Sequence, residues 1–582
     1  MKTRILHVLL GACLLLPAWA TAGAKSFVKA QGRGVNLGNM LEAPSEGSWG
    51  VTMQKTDFAL MASKGFQNVR IPIRWDGSGV GGLRFARVAR TEPFAVDPRF
   101  FARVDSAILW ARQNRLVVTI NDHHHDSLFQ GYVKEKPRFI AMWRQIAERY
   151  RDLPTDSVAF EILNEPNTQV TVEAWNELLD TTLKVIRESN PTRPVVVGTA
   201  NWGGLSGLSG LRLPENDTNI VLTIHYYEPF AFTHQGADWV DPVPPTGVTW
   251  EGTYYEKLAV RQAMDAIADY AKPRGLPVFI GEFGAYSTAD VRSRARWTRH
   301  CARLFESYGF SWAYWEFKAG FGIYDESSGT WQDSLVGALV SDDTTILERG
   351  APPAGGTDLV NQGDFSSKLD WSFNASQGVA RFTLDSGAAK FAITTAAKEA
   401  WGIQLIQSPV VLQKGLVHVL QFDAWASSPR AIDGGLGMSE DPWTGYVSAS
   451  ASLSTTRKTF FASFVPAVTD ENARVYFNLG PDTGTVRIDD VKLLVWPSNT
   501  SVGPASRKSA STPVRWTGNA LVWNGKDHPR FDRVVSPTGR IAARLEWTRS
   551  GDAWTASATG LGAGTWIAAG PAGTAMFTNT AP

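Results

Sequence analysis

Cysteine is almost absent from this chain. Its 582 residues include two, Cys13 and Cys301. Cys13 sits in the apolar stretch "ILHVLLGACLLLPAWA", behind Lys2 and Arg4 and ahead of the small residues "ATAGA". A basic start, an apolar middle and small residues make an export signal, with cleavage expected after Ala24. A lipid anchor on Cys13 is disfavoured because the apolar run continues past it. Cys301 is then left without a partner, so no internal disulfide framework forms. Net charge is lacking as well. Lys and Arg number 57 against 56 Asp and Glu, a formal +1. Nothing in the bulk electrostatics suits nucleic acid. The leader is short for a membrane span and no second apolar run follows it. These absences describe a secreted protein, free or held at a bacterial cell surface, with no membrane or nucleic-acid partner and with monomer as the default.

Aromatic residues are abundant, with 23 Trp and 13 Tyr. Flat amphipathic rings suit sugar stacking and also suit ordinary cores. The length exceeds one core, so two to four domains are expected. From about residue 34 to 317, strand-like runs alternate with amphipathic helical ones. The strand candidates are "GVNLGN", "NVRIPI", "LVVTINDHH", "VAFEILNEP", "PVVVGTANW", "IVLTIHYYEP", "PVFIGEFG" and "FSWAYWEF". Each is rich in β-branched or aromatic residues. Helical patterns lie between most of them, including one that Asp97 can cap with Pro98 at its first position. Eight such units fit an α/β fold of the (β/α)8 barrel type. A doubly wound sheet is the rival, but it gives no reason for polar residues at nearly every strand end. Those ends carry Asn36 and Asn39, Arg70, His123 and His124, Asn164 and Glu165, Trp202, His225 and Tyr227, Glu282, and Trp315 and Glu316. In a barrel they converge on one mouth.

The domain layout follows from composition. Residues 1–24 are the signal and 25–350 the barrel. A linker, "APPAGGTD", covers 351–358. Residues 359–496 alternate as short strands and predict an all-β jelly-roll sandwich. A second polar linker covers 497–513, and 514–582 read as a small β domain.

The stretch "FEILNEP" holds two glutamates in an apolar run. It lies in the strand "VAFEILNEP", so Glu161, Leu163 and Glu165 face the same way. Glu161 then lies roughly 13 Å deeper than Glu165. Glu165 belongs at the mouth. Glu161 belongs inside, held by a donor such as Arg70. A second carboxylate, Glu282 in "VFIGEFG", stands across the mouth. Two carboxyls ~5 Å apart permit double displacement with retention, while ~6.5–9.5 Å means inversion. The run "HHHD" at 123–126 invites a zinc reading, but consecutive strand residues alternate faces and do not converge on one ion. His125 is expected as a surface residue or an altered subsite contact. No metal and no cofactor are expected.

These residues resemble glycoside hydrolase family 5. The resemblance covers about 33–340 and rests on "RGVNLGNMLEAP", "VRIPIRW", "INDHHH", "FEILNEPN", "IHYYEPF", "FTHQGADW", "IGEFGAY" and "SWAYWEF" in order. It is closest to the endo-β-1,4-glucanase branch, whose members in part also cut β-mannans. The resemblance implies that Glu282 is the nucleophile and Glu165 the acid and then the base. Asn164 would bond the sugar 2-OH. Arg70 and Tyr227 would hold Glu282. His123, His124 and His225 would line the cleft, and Trp315 would form a platform for the sugar. Asn36, Glu42, Trp49, Trp202, His234 and Trp239 are further substrate-binding candidates, with loop packing as the alternative. A β-glucan, with glucomannan as a further option, is the implied partner. Residues 359–496 resemble carbohydrate-binding modules of families 4 and 9, with Trp371, Trp401, Trp425 and Trp443 as stacking candidates. Asp489 and Asp490 read as a solvated turn or a calcium contact. The tail, with "SPTGR" and Trp566, faintly resembles the sorting domains of the type IX secretion system; a generic accessory domain is the alternative. Two other readings stay open: a β-mannanase, and a non-catalytic glycan-binding protein.

Overall fold

The computed structural model describes residues 23–346 except 81, then 353, 355–367, 370–466 and 468–496. Beyond these it describes eight strand segments between 514 and 579. The leader up to residue 22, the 497–513 linker and the "SPTGR" motif lie outside the described residues.

Eight short parallel strands close into a barrel. They are β1 Arg33–Asn36, β2 Asn68–Ile71, β3 Val117–Asn121, β4 Val158–Glu161, β5 Val195–Val197, β6 Ile220–His225, β7 Val278–Glu282 and β8 Ser311–Tyr314. Each expected segment supplies one strand, and β8 pairs with β1 to close the ring. Parallel strands are covered on both faces and so read as continuous apolar runs. Every residue of β2, β3, β4 and β7 is buried. One point of close approach needs glycine. A side chain at Gly34 would collide with the Asn68 amide, which donates to the carbonyls of Gln31 and Trp312 at 2.8 and 3.2 Å.

Helix α1, Ala24–Gln31, precedes β1 and plugs the barrel floor. Ala24, Phe27 and Val28 pack there on Val117, Ala159, Val196, Val221, Phe279 and Ala313. The outer helices are α2 Lys55–Ser63, α3 Pro98–Gln113, α4 Tyr132–Arg149, α5 Val172–Ser189, α6 Tyr254–Ala271, α7 Val291–Ser307 and α8 Asp333–Val340. Asp97 caps α3 as expected, accepting from Arg99 N at 2.9 Å. After β5 there is only a 3-10 turn, Leu205–Gly210, where the barrel would otherwise carry an outer helix.

The sandwich has two antiparallel sheets. Its strands are β9 Ser372–Ala375, β10 Val379–Asp385, β11 Ala388–Thr395, β12 Ile403–Leu412, β13 His418–Ala426, β14 Arg430–Met438, β15 Gly445–Leu453, β16 Lys458–Phe464, β17 Asp470–Asn478 and β18 Gly484–Val495. One sheet runs β10-β11-β18-β13-β16 and the other β9-β12-β17-β14-β15. Thr357 and Asp358 pair with Val495 and Leu494, so the sandwich begins two residues inside the expected linker. Among the stacking candidates, Trp371 is core, whereas Trp401 and Trp443 are exposed. Arg457 lies over the Trp425 ring at 5.2 Å. Asp489 and Asp490 are not a turn but part of β18. With Asp423 they close on Arg457 at 2.6–2.7 Å.

The sandwich packs on α6, where Tyr255 and Leu258 meet Val419 and Trp496. Gln262 of α6 donates to the Thr459 carbonyl at 2.7 Å. Residues 502–582 form a separate unit with two four-stranded antiparallel sheets. Among the described residues, no helix is long and apolar enough to cross a membrane.

Candidate active site

Arg70 of β2 is wholly buried and ties the site together. Its Nε and Nη2 donate to the two oxygens of Glu161 at 2.7 and 2.6 Å. Its Nη1 donates to Asn36 Oδ1 at 2.9 Å and to Glu282 Oε1 at 2.7 Å, and Nη2 also reaches Asn164. Burial works against the guanidinium's charge, but Glu161 and then Glu282 more than offset it. Tyr227 donates its hydroxyl to the other oxygen of Glu282 at 2.8 Å. Burial, with Glu282 and Glu165 nearby, pushes that phenol far up, so it stays a donor. Burial likewise raises the Glu282 carboxyl above its usual range, against the pull of His225 and Arg70.

Strand β4 ends at Glu161. The strand parity assumed through "FEILNEP" therefore stops there, and the bent segment that follows carries Glu165 to the rim. Glu161 and Glu282 share one guanidinium, so Glu161 belongs to the support of Glu282 and not to a remote layer. The Glu165 side chain is 26% exposed and its Oε1 lies 2.7 Å from His225 Nδ1. The same nitrogen is 3.6 Å from Glu282 Oε2. One atom each of Glu165, His225 and Glu282 lie within 4.8 Å of one another. Burial disfavours charge on His225, but Glu282 and Glu165 prevail and hold its pKa above the usual value.

The loop after β5 keeps this pair aligned. Asn201, Trp202 and Gly203 all take left-handed backbone conformations, and Gly203 O accepts from His225 N at 3.0 Å. A Cβ on Gly203 would stand 3.2 Å from His225 Nδ1 and 3.4 Å from Glu165 Cγ. Gly203→Ala is expected to cost about 1–2 kcal/mol of stability from its positive φ. It should lower kcat about tenfold by shifting Glu165. Steady-state kinetics and thermal melting check both; an unchanged kcat would show that the loop yields without moving the pair.

Aromatic walls flank the carboxylates. On one side Trp315 stacks on His123, with ring centres 5.3 Å apart and planes 9° off parallel. His124 meets the edge of exposed Trp49 at 5.7 Å. Both histidines are held neutral. Burial, then His124, depresses His123; burial, then Arg74, lowers His124 to about 3. On the other side Trp202 is 61% exposed, with Phe230 and Trp239 also open to solvent. His234 stacks on Phe230 at 4.1 Å, and burial lowers its pKa to about 4.

Three expected contacts are corrected. Asn36 is buried, and its amide donates to the carbonyls of Gly281, Ala313 and Tyr314. It positions Arg70 and does not reach the cleft. Glu42 is buried too, accepting from the backbone of Asn39 and Met40. Burial raises its carboxyl to about 8, and it clasps its own loop. His125 is neither a surface residue nor a subsite contact. It is 1% exposed, with Nδ1 2.6 Å from Asp122 Oδ2. Strand β3 ends at Asn121, so residues 122–125 do not alternate, and His125 turns away from His123 and His124. Two residues at the mouth were not singled out in the sequence, Phe230 and Gly203. The doubled glycine in "NWGG" was the available signal for the second.

A family model described as cellulase, glycosyl hydrolase family 5, matches residues 28–320. A carbohydrate binding domain model matches 357–484. Endoglucanase H of Acetivibrio thermocellus is 33% identical over 324 residues, covering 54% of this chain and 33% of that protein. Endoglucanase 3 of Fibrobacter succinogenes is 27% identical over 331 residues, half of each chain. The chain thus spans a third to a half of these curated relatives. Among solved structures, Thermotoga maritima Cel5A in complex with mannotriose is 42% identical, with a TM-score of 0.52 over 55% of this chain and all of that one. A family match over half the chain, on a barrel whose mouth pairs Glu165 with Glu282, makes this protein a member of the cellulase family, glycosyl hydrolase family 5.

Proposed function

We propose that the chain is an endo-acting β-1,4-glucanase that opens internal bonds of cellulose and related β-glucans with retention. The observation that carries this reading is the spacing of Glu165 and Glu282, whose nearest oxygens lie within 4.8 Å. Inversion needs roughly 6.5–9.5 Å to admit a water between the two groups. Aromatic walls continue past the carboxylates on both sides, so a polymer can enter at both ends.

In the first step Glu282 attacks the anomeric carbon and forms an ester. The glycosidic C–O bond breaks as Glu165 gives its proton to the departing oxygen. In the second step Glu165 takes a proton from water. That water attacks the same carbon, and the ester bond to Glu282 breaks. Asn164 stands beside Glu165, where a bond to the sugar 2-OH strengthens in the transition state. Export goes with a polymeric substrate, and activity confined to the cell interior would count against it.

The test is the anomer formed first. Proton NMR of a cellooligosaccharide digest should show the β anomer before mutarotation, and initial α anomer would sink the mechanism. A second reading, β-mannan as main substrate, is favoured by the similar Thermotoga enzyme crystallised with mannotriose. Faster release of reducing ends from mannan than from soluble cellulose derivatives would select it.

A further inference from the structure

The cavity that holds Glu165 does not end at the barrel rim. It has a volume of about 1320 Å³ and continues from Trp202, Tyr227 and Phe230 to Ser448 and Ser450 of the sandwich strand β15. The 3-10 turn Leu205–Gly210 and the short helix Phe230–Thr233 pack against this part of the sandwich. The missing outer helix after β5 is therefore where the sandwich approaches the catalytic mouth.

The strand face turned that way is polar. Cross-strand pairing sets Asn374 opposite Gln404, Gln404 opposite Asn478, Asn478 opposite Asp433, and Asp433 opposite Ser450. Directly opposed residues share a face, so these five form one row across the sheet. Side-chain bonds confirm it: Gln404 Nε2 donates to Asn478 Oδ1 at 2.6 Å, and Ser450 Oγ to Asp433 Oδ1 at 2.6 Å. The alternate face carries Leu405 and Phe477, both wholly buried. At the usual strand spacing the row runs roughly 19 Å, the length of several sugar units. Beside it lies Tyr476. A Cβ on Gly435 would fall 2.6 Å from the Tyr476 ring, so that glycine leaves room for the ring to lie across the neighbouring strand.

The barrel end of the row meets the active-site loop. Glu228, next to Tyr227, is raised to about 7 by burial and then by Asp433. Tyr476 is raised by burial, Asp433 and also Glu228. Residues of both domains therefore share one partly dehydrated space. Chemistry fixes which end of a substrate lies there. Glu165 protonates the departing oxygen, so the departing sugars lie on its open side, away from Trp315. That is the side of Trp202, whose N donates to the Pro166 carbonyl just past Glu165.

We propose that the polar face of the sandwich is the far half of the catalytic cleft, so that the departing end of one β-glucan chain passes Trp202 and lies along Ser450, Asp433, Asn478 and Gln404. This rests on the glucanase reading above.

The test uses the full chain carrying Gln404→Ala with Asn478→Ala, and separately Asp433→Asn. Two substrates are compared: cellohexaose labelled at its reducing end, and an aryl cellobioside with no departing sugar. In each variant we expect KM for cellohexaose to rise about tenfold from the lost polar contacts. Its cleavage should move toward the reducing end, while kcat/KM on the aryl cellobioside stays unchanged. Unchanged cellohexaose kinetics and cleavage position in both variants would overturn the proposal, even if binding to insoluble cellulose fell, because the sandwich would then act apart from the cleft. Equal losses on both substrates, with lowered melting temperatures, would also overturn it. Failure of the wild type on the aryl cellobioside and on cellohexaose would instead remove the glucanase reading itself.

Discussion

Glu282→Gln should leave a folded protein whose kcat/KM on soluble β-glucan is lower by about 10⁴-fold, some 5.5 kcal/mol of transition-state stabilisation lost. The amide keeps the shape and still accepts from Tyr227, which bonds Glu282 at 2.8 Å. It cannot form the ester, so neither step proceeds. Glu165→Gln provides the internal contrast. An aryl leaving group departs without a proton, so that variant should retain its first step on an aryl cellobioside and stall at the second. Glu282→Gln should lose both. A pH profile adds a further check. In the proposed mechanism Glu282 must be ionised to attack, and burial holds its carboxyl above the ordinary value of 4.5. Activity should therefore fall on acidification through a pKa above 4.5. Residual activity of Glu282→Gln within tenfold of wild type, on protein purified free of wild-type enzyme, would exclude Glu282 as the nucleophile.

The barrel was legible because its signal is doubly strong. Parallel strands are covered on both faces, so each appears as an apolar run, and each run ends in a polar residue where it reaches the mouth. Pairing Glu165 with Glu282 needed only those ends. The parity argument at "FEILNEP" was weaker, because it assumed an extended chain. β4 stops at Glu161, and past that point side-chain direction depends on hydrogen bonds such as Asn164 N to the Asp122 carbonyl at 2.9 Å. The histidine run failed for the same reason: β3 ends at Asn121, and Asp122 decides where His125 points. Asn36 looked like a ligand because it is polar and sits at a strand end, and Glu42 because it lies in the "NLGNMLEAP" stretch that carries the resemblance. Only the surrounding carbonyls and amides reveal that their bonding capacity is already filled.

The sandwich was legible as a class and illegible in its orientation. Strands β14 and β15, "RAIDGGLGM" and "GYVSASASL", are rich in glycine, serine and alanine, of which glycine and serine favour turns and glycine and alanine are depleted in strands. They are also the strands that approach the catalytic mouth. Small residues there let the barrel loops come close and let Tyr476 lie over Gly435. A composition that conceals a strand is thus the composition that a tight junction requires.

Arg70→Met should have the largest effect on stability of any single change in the barrel. The guanidinium is wholly buried and is the shared partner of Glu161 and Glu282. Removing it leaves two carboxylates facing each other away from water. Breaking a buried pair in this way costs about 3–5 kcal/mol. In a domain of this size that lowers the melting temperature by roughly 5–10 °C. Without Arg70, a charge that offsets burial at Glu282 is gone, so that carboxyl rises further above its unfolded value. The variant therefore keeps most of its stability below about pH 4.5, where both forms are protonated, and loses it as pH rises through the raised folded value. Its deficit against wild type should be larger at pH 8 than at pH 5. Adding Glu161→Gln removes one of the two stranded charges, so the double variant should recover much of the melting temperature at pH 7. Activity should stay lost in both, because Glu282 no longer has the cation that favours its charged form. Arg70→Lys should fall between, since one ammonium cannot serve Glu161, Asn36, Asn164 and Glu282 together. Thermal melts at the two pH values, with kinetics on soluble β-glucan, check the set. Wild-type melting of Arg70→Met at pH 8 would show that the two carboxylates find other partners, and the account of Arg70 as the tie between Glu161 and Glu282 would fall.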